Sequence, residues 1–262
     1  MIDLKSIQQL KSFKVLLIGD SCVDKYHYGT CERISPEAPV PIMNHLYTKE
    51  YPGMAANVKA NLNGLGLHCD FVTQDNIILK ERYVDQKSRQ QFLRVDTGES
   101  IRVEPYPIED FNYSWYDAVV ISDYEKGFIE FNVAKELTQN FSGLVFVDSK
   151  KKDLSCFENS IIKINESETH EAHCLPNNHE LVTTLGERGA SWNGEKYPTN
   201  PVDVFDASGA GDSFFTGLIV SYLISNNIEE AIKFANKCAR ISVQKSGTYA
   251  VTWKDVENDL LF

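Results

Sequence analysis

Short runs of consecutive hydrophobic residues recur along the chain, separated by segments with helical periodicity. Four of them occupy residues 14–20, 117–123, 143–148 and 180–186. Continuous rather than alternating hydrophobicity is typical of strands buried on both faces, as in a parallel sheet between two helical layers. Three of the runs end in Asp and the fourth in Gly. The pattern therefore predicts an α/β three-layer sandwich with a mostly parallel central sheet, whose ligand site lies at the carboxyl edge of the strands.

A different pattern lies between the first two runs. Residues 34–47 and 78–95 are extended, interrupted by Pro and partly alternating, which predicts a small antiparallel sheet. We expect this sheet to cover the site as a lid, with lid segments at about 33–50 and 78–104 of one domain spanning residues 1–262. An edge extension of the main sheet is the alternative.

Two helices are predicted in the last third of the chain. Residues 213–224 are apolar nearly all round, which indicates a buried helix, and residues 229–245 carry one apolar stripe with charges opposite. Asn227 is a candidate N-cap for the second helix and Gly247 a candidate stop.

The composition excludes some classes of function. The chain of 262 residues is 42% hydrophobic and 24% charged, as in ordinary globular proteins, and its formal net charge is -11. Binding to nucleic acid requires clustered cations, so we expect no nucleic-acid partner. An anion such as ATP would have to be held by backbone N–H groups and Mg²⁺.

The cysteines and the hydropathy pattern predict a cytoplasmic protein. The six cysteines form no C-x-x-C pair, which favours reduced thiols, and a zinc site near His170, His173 and Cys174 would lack further ligands. No run has the length needed to cross a bilayer, and the N-terminus does not resemble an export signal.

The strongest chemical signal is DASGAGD at residues 206–212, just before the buried helix. Small residues let the backbone approach a ligand, and the helix start offers N–H groups to an anion. We expect Gly209, Ala210 and Gly211 to form an anion hole and Asp212 to act as general base toward a hydroxyl group. The alternative is a Gly-rich helix start in which Asp212 only favours the helix dipole.

A second turn, PGMAAN at residues 52–57, precedes another helix that stops at residues 64–66. Taken alone, it is equally typical of a tightly packed helix start in which Asn57 is a capping or buried amide.

These motifs together resemble the ribokinase-like (PfkB) carbohydrate kinases. The resemblance rests on Gly19-Asp20 with Asp24, on the turn at 53–57, and on residues 206–212 followed by a long apolar helix. Residues 24–29 (DKYHYG), 33–41 (RISPEAPVP) and 122–127 (SDYEKG) are similar to the heptose-phosphate kinases of lipopolysaccharide biosynthesis.

The resemblance implies roles for particular residues. Those expected to bind sugar hydroxyls are Asp20, Asp24, Gly53 and Asn57, and those expected to hold a phosphate already on the sugar are Arg33 and Lys126. Surface ion pairs are the alternative for the last two. Asn165 and Glu168 would organise Mg²⁺ and its waters, unless they belong to a solvated polar turn. The residues expected on the nucleotide side are Asn165, Thr184, Gly186, Gly189 and Asn236.

The chain also departs from the family. Too few residues follow Gly66 for the helix and strand that members usually have there, and 168–180 is short in the same way. This trimming predicts exposed sheet edges, so we expect a homodimer formed through the lid or those edges. Met54 replaces a glycine that the family often has. Because only fifteen residues follow Gly247, we expect no adenylyltransferase domain.

The sequence therefore predicts an ATP- and Mg²⁺-dependent sugar kinase, with a heptose phosphate such as D-glycero-D-manno-heptose 7-phosphate as the favoured acceptor. A kinase for another sugar or a nucleoside is one alternative. A degenerate homologue that binds a sugar or nucleotide without catalysis is another.

Overall fold

Helices and strands alternate along most of the chain in the computed structural model, which describes residues 4–107 and 112–259. The strands are β1 (Val15–Gly19), β2 (Ser21–Ile34), β3 (Pro41–Met54), β4 (Cys69–Val72), β5 (Leu79–Asp85), β6 (Gln91–Thr97), β7 (Ala118–Asp123), β8 (Leu144–Ser149), β9 (Ser160–Asn165), β10 (His179–Thr184), β11 (Ala190–Trp192) and β12 (Glu195–Tyr197). The helices are α1 (Leu4–Leu10), α2 (Ala55–Gly64), α3 (Phe131–Asn140), α4 (Glu166–Glu171), α5 (Ala210–Ser225), α6 (Ile228–Ser242) and α7 (Trp253–Asn258).

The central sheet has the order β12-β11-β10-β9-β8-β7-β1-β4. The six strands from β10 to β4 are parallel, and β11 and β12 add an antiparallel edge. In β1, Val15 and Leu17 pack into one hydrophobic core while Leu16 and Ile18 pack into the other. The predicted mostly parallel sheet, covered on both faces, is therefore confirmed.

The two cores are covered by different helices. The first contains residues of α1, α2, α5 and α6, and the second contains Ala134 and Leu137 of α3. Both predicted C-terminal helices are present, and the Asn227 side chain caps α6 by accepting from the N–H groups of Glu229 and Glu230. The predicted stop at Gly247 is wrong, because α6 ends at Ser242 and Gly247 lies beyond it in a turn with φ 72°.

The lid is a separate four-stranded sheet of order β3-β2-β5-β6 rather than an edge of the main sheet. It also begins earlier than predicted, since β2 starts at Ser21. The lid is mixed, not purely antiparallel, because β2 and β5 run parallel. The parallel neighbours β1 and β4 lead into β2 and β5 respectively, so both lid strands leave the main sheet in the same direction.

The trimming is visible at two places. No helix lies between β4 and β5, and β4 is the edge of the main sheet. Between β9 and β10 the chain forms only the six-residue helix α4. Across the described ranges, no helix is both long and apolar enough to span a bilayer, and all six cysteines are free.

Candidate active site

The N-terminus of α5 offers backbone donors at the carboxyl edge of the sheet. Gly209 is its N-cap, in the left-handed conformation with φ 78°. In the described part of the chain, the N–H groups of Gly209, Gly211 and Asp212 have no hydrogen-bond acceptor, whereas that of Ala210 donates to the Ala207 carbonyl (3.2 Å). The free donors therefore differ by one residue from the predicted set, because the turn uses the amide of Ala210.

Asp212 lies in the first turn of α5 and is 5% exposed. The Asn57 side-chain amide donates to its Oδ2 (2.7 Å), and the Tyr124 hydroxyl donates to its Oδ1 (2.6 Å). Burial raises the pKa of Asp212, and the two hydrogen bonds partly oppose that rise. Asn57 and Asp212, each predicted to act on the acceptor hydroxyls, thus lie in direct contact, and the raised pKa makes the carboxylate a stronger base than an exposed one.

Asp20 is fully buried and binds backbone amides. Its Oδ2 accepts from the N–H groups of Tyr124 (2.8 Å) and Lys126 (3.1 Å), and its Oδ1 from that of Phe128 (3.4 Å). Burial raises the pKa of Asp20 and these amides lower it. Asp20 therefore fixes the 124–128 turn that presents Tyr124 to Asp212, while its contact with a sugar stays a prediction.

Asp24 lies on β2 beside Gly53 of β3, and its carboxylate forms an ion pair with Arg82 of β5. A Cβ atom at Gly53 would collide with the Asp24 carboxylate. Gly53 is therefore required for Asp24 to occupy this position, and no direct sugar contact is needed to explain the glycine.

A buried ion pair that the sequence analysis missed lies beside the start of α5. Lys163 of β9 donates to Asp148 of β8 (2.6 Å), and both are almost fully buried. Burial raises the pKa of Asp148 to about 6, although Lys163 opposes the rise. Burial alone would lower the pKa of Lys163, but Asp148 raises it above its ordinary value. An ideal Cβ on Gly211 would lie 3.2 Å from Nζ of Lys163, so this cation adjoins the start of α5.

Asn165 and Glu168 form a capping box at α4. The Asn165 side chain accepts from the Glu168 N–H, and Glu168 Oε2 accepts from the Asn165 N–H, each at 2.8 Å. Glu168 Oε1 is paired with Lys150 (3.0 Å). In the described residues no group of three His, Cys, Asp or Glu could hold a metal ion, including near Cys174. Asn165 and Glu168 thus hold each other and Lys150 in this structure, and their predicted role in organising Mg²⁺ and its waters stays a prediction.

The predicted nucleotide-side residues separate into two groups. Thr184 pairs with Asn165 at the ends of β10 and β9, and Gly186 follows in an open turn where a Cβ would meet nothing within 4 Å. The backbone of Gly189 packs against the backbone of Tyr197. The side-chain amide of Asn236 donates to the carbonyl of the same tyrosine (2.8 Å).

Arg33 and Lys126, the two residues predicted to hold a phosphate on the sugar, do not form a pair of free cations in the structure. Arg33 is exposed near the end of β2. Lys126 forms an ion pair with Glu99 (2.8 Å), as the surface-pair alternative anticipated.

Sequence reasoning also missed Tyr124, although it lies inside the SDYEKG motif. Asp148 could have been identified as a candidate site residue, because it ends one of the four hydrophobic runs. Lys163 could have been identified as well, because a charged residue within a buried strand needs a partner.

Comparisons with known proteins find similar sequences and similar folds. The sequence pattern described as "pfkB family carbohydrate kinase" matches residues 151–255. The chain is 32% identical to "Bifunctional protein HldE" of Campylobacter fetus over 301 alignment positions, which include 93% of this chain and 66% of that protein. Residues 151–255 thus carry the sequence features of a pfkB-family carbohydrate kinase domain. The chain spans slightly less than two thirds of the length of the curated relatives it matches.

Solved structures show the same fold. Ribokinase from Thermotoga maritima superposes with a TM-score of 0.70 at 18% identity, covering 95% of this chain and 100% of that one. Arabidopsis thaliana ribokinase, solved with ribose and ATP, gives a TM-score of 0.68 at 16% identity, covering 95% and 99%. The fold is ribokinase-like. The 301 positions aligned with the Campylobacter protein exceed the 262 residues of this chain, so the relative has insertions within the matched region, consistent with a trimmed member.

Proposed function

We propose that the protein transfers the γ-phosphoryl group of ATP to a sugar hydroxyl, with Asp212 as general base. The observation that carries this proposal is the shared position of a buried carboxylate and free amide N–H groups at the start of α5. A carboxylate can accept up to about four hydrogen bonds, so Asp212 keeps capacity for a substrate hydroxyl beside Asn57 and Tyr124.

The proposed roles of Asp212, the backbone amides and Lys163 follow from the charge that each of them presents to the reacting groups. Asp212 accepts the proton of the attacking hydroxyl, and its raised pKa strengthens it as a base. The N–H groups of Gly209 and Gly211, with the nearby Lys163 ammonium, stabilise negative charge on the transferred phosphoryl oxygens. Lys163 stays charged because Asp148 is its partner.

ATP as donor is supported by the fold shared with a ribokinase solved with ribose and ATP. ATP would bring Mg²⁺ mainly through its phosphates and water, as that ion commonly binds. Asn165 and Glu168 are better explained as a cap that rigidifies the edge near Thr184, and we assign no catalytic step to the metal.

The acceptor we propose is a heptose phosphate. Residues 33–41 and 122–127 resemble heptose-phosphate kinases, and the curated relatives bear the name HldE. The family resemblance assigns its hydroxyl groups to Asp24 and Asn57, which lie beside Arg82 and Asp212 respectively.

A coupled ADP-release assay over a panel of sugars and sugar phosphates tests the proposal, with Asp212→Asn as the inactive variant. We expect sugar-dependent turnover in the wild type and its loss in the variant. Ligand-induced thermal stabilisation without turnover would instead establish the degenerate binding protein, because binding to the native state stabilises it whether or not chemistry follows.

We also propose a homodimer formed through the lid. Apolar side chains are exposed on or beside its strands, namely Ile34, Val40, Leu46, Leu93 and Val95. Burial of such side chains against a second copy would remove apolar surface from water. Analytical ultracentrifugation of the wild type and of Leu46→Glu/Leu93→Glu tests this, and a wild-type monomer at all concentrations would refute it.

A further inference from the structure

A cavity lies between the lid and the loop that precedes α5. It has a volume of about 470 Å³ and is lined by tyrosines of the lid, by Lys49 and Arg89, and by Asp206 and Ser208 of the loop. Ser208 is the residue before Gly209, so the cavity adjoins the proposed anion hole. Asp212, Asn57 and Tyr124 do not line it.

The wall formed by the lid suits a sugar ring. Tyr26 and Tyr28 are stacked with centroids 6.2 Å apart, and Tyr28 and Tyr47 with centroids 5.0 Å apart. Aromatic rings present flat apolar faces with polar hydroxyl tips. Tyr26 is 4% exposed, and its buried hydroxyl, near Ser208, makes no hydrogen bond of ordinary geometry within the described residues. Beside Ser208, this hydroxyl therefore keeps hydrogen-bonding capacity for a ligand.

The charges around the cavity favour an anion. Lys49 lies over the Tyr47 ring (5.8 Å to its centroid) and Arg89 over the Phe205 ring (4.6 Å). Neither cation has a carboxylate within salt-bridge distance among the described residues.

The two carboxylates that line the cavity are already engaged. Asp206 accepts from the N–H groups of Ser208 and Gly247, each at 2.9 Å. Asp85 accepts from those of Cys31 (3.0 Å) and Ser88 (2.7 Å). Backbone donors thus offset part of the negative charge, while the cations keep donors free for a ligand.

We propose that this cavity binds the phosphorylated end of the acceptor sugar, with Lys49 and Arg89 contacting the phosphate and the Tyr26 hydroxyl contacting the sugar. This inference rests on the proposed kinase function and assigns the phosphate of the proposed acceptor to two particular cations. The cavity replaces Arg33 and Lys126 as the phosphate subsite, since Arg33 is exposed on a distant part of β2 and Lys126 already pairs with Glu99.

The position of the cavity is consistent with the chemistry. Tyr26 lies two residues beyond Asp24 on the same face of β2. The Arg82 guanidinium contacts both residues: it forms an ion pair with Asp24 and lies over the Tyr26 ring, 5.1 Å from its centroid. A sugar that meets Asp212 through one hydroxyl can therefore direct its far end toward Lys49 and Arg89.

Isothermal titration of the intact protein with matched ligand pairs tests the proposal. The pairs are D-glycero-D-manno-heptose 7-phosphate with its heptose, fructose 6-phosphate with fructose, and ribose 5-phosphate with ribose. In the wild type, at least one phosphorylated sugar should bind about tenfold or more tightly than its neutral partner. In Lys49→Gln/Arg89→Gln that preference should vanish, while Kd values for the neutral sugar and for ATP stay within about twofold.

The control is Lys87→Gln, which removes a cation from the same turn as Arg89 but does not line the cavity. Lys49, Lys87 and Arg89 are all exposed, and thermal melts verify that each variant folds. The proposal is overturned if the wild type shows no preference for any phosphorylated sugar, if Lys87→Gln abolishes the preference equally, or if the double variant loses ATP binding instead.

The outcomes separate this inference from the kinase function. Turnover of a neutral sugar that requires Asp212, without any preference for phosphorylated sugars, would keep the kinase and overturn the subsite. Phosphate-dependent binding that requires Lys49 and Arg89, without ADP release, would support the subsite and overturn the kinase.

Discussion

Replacement of Gly209 by Ala should separate backbone strain from damage to the active site. Gly209 has φ 78°, and a Cβ atom there would lie 2.8 Å from Nδ2 of Asn57. Gly194, in the turn between β11 and β12, is a matched control because it has φ 79° and a Cβ there would meet nothing within 4 Å. The two substitutions therefore share the backbone penalty and differ in the collision.

The expected magnitudes follow from these contacts. A left-handed backbone costs an L-residue about 1–2 kcal/mol, and both variants should lose roughly that much unfolding free energy. In Gly209→Ala the Asn57 amide must also move from Asp212. A hydrogen bond to a charged group contributes about 1.5–3 kcal/mol, so Gly209→Ala should lose about 3–5 kcal/mol in total.

Urea denaturation and the ADP-release assay measure the two effects. Gly194→Ala should keep wild-type kcat/KM, whereas Gly209→Ala should lose about 10- to 100-fold because the base is displaced. If the two variants were equally stable and equally active, the collision with Asn57 would not matter, and the proposed arrangement around Asp212 would be refuted.

Three further predictions concern buried charge. Tyr124→Phe removes the hydroxyl that donates to Oδ1 of Asp212, so the pKa of that carboxyl should rise further. The acid limb of the pH profile of kcat/KM should then move to higher pH. An unchanged profile would count against Asp212 as the base. Asp212→Asn should abolish turnover yet melt at or above the wild-type Tm near neutral pH. Burial raises the pKa of Asp212 in the folded state, so the wild type loses stability as pH rises through that pKa. The amount by which the variant's Tm exceeds that of the wild type should therefore grow from acid to neutral pH. If this Tm difference shrank instead, the burial effect would be contradicted. Lys163→Met leaves Asp148 buried without its partner and should cost about 3–5 kcal/mol of unfolding free energy. The double variant Lys163→Met/Asp148→Leu should recover most of that free energy. If denaturant titration gave equal losses for the single and double variants, the two side chains would not be coupled.

The fold was largely predictable because its strongest determinants are local. Continuous hydrophobic runs indicated buried parallel strands, and the nearly uniform apolarity of residues 213–224 indicated the buried helix α5. β9 was not among the four runs, since Lys163 interrupts it. That interruption is itself informative, because a lysine is tolerated in a buried strand only with a partner such as Asp148.

The site was only partly predictable because its partners are distant in sequence. Asn57 and Asp212 were assigned to one pocket by family resemblance, and their side chains do meet, although they are 155 positions apart. The same resemblance assigned Asp20 to the sugar. In the structure its carboxylate accepts from three backbone amides more than 100 positions away, and no local pattern shows such contacts. Asn236 was assigned to the adenine side for the same reason, but its amide is satisfied by the Tyr197 carbonyl.

Met54 shows how local strain and the site are connected. Its departure from glycine was visible in the sequence, and the structure gives it φ 56° and ψ -134°, a conformation that favours glycine. Such a backbone costs about 1–3 kcal/mol, while burial of a Met side chain contributes about 1.5–3 kcal/mol. The side chain is buried in a cluster with Cys22 and Ile78, and Tyr124 packs against this cluster. The burial term thus offsets the strain, and the cluster that supplies it also supports the tyrosine that holds Asp212.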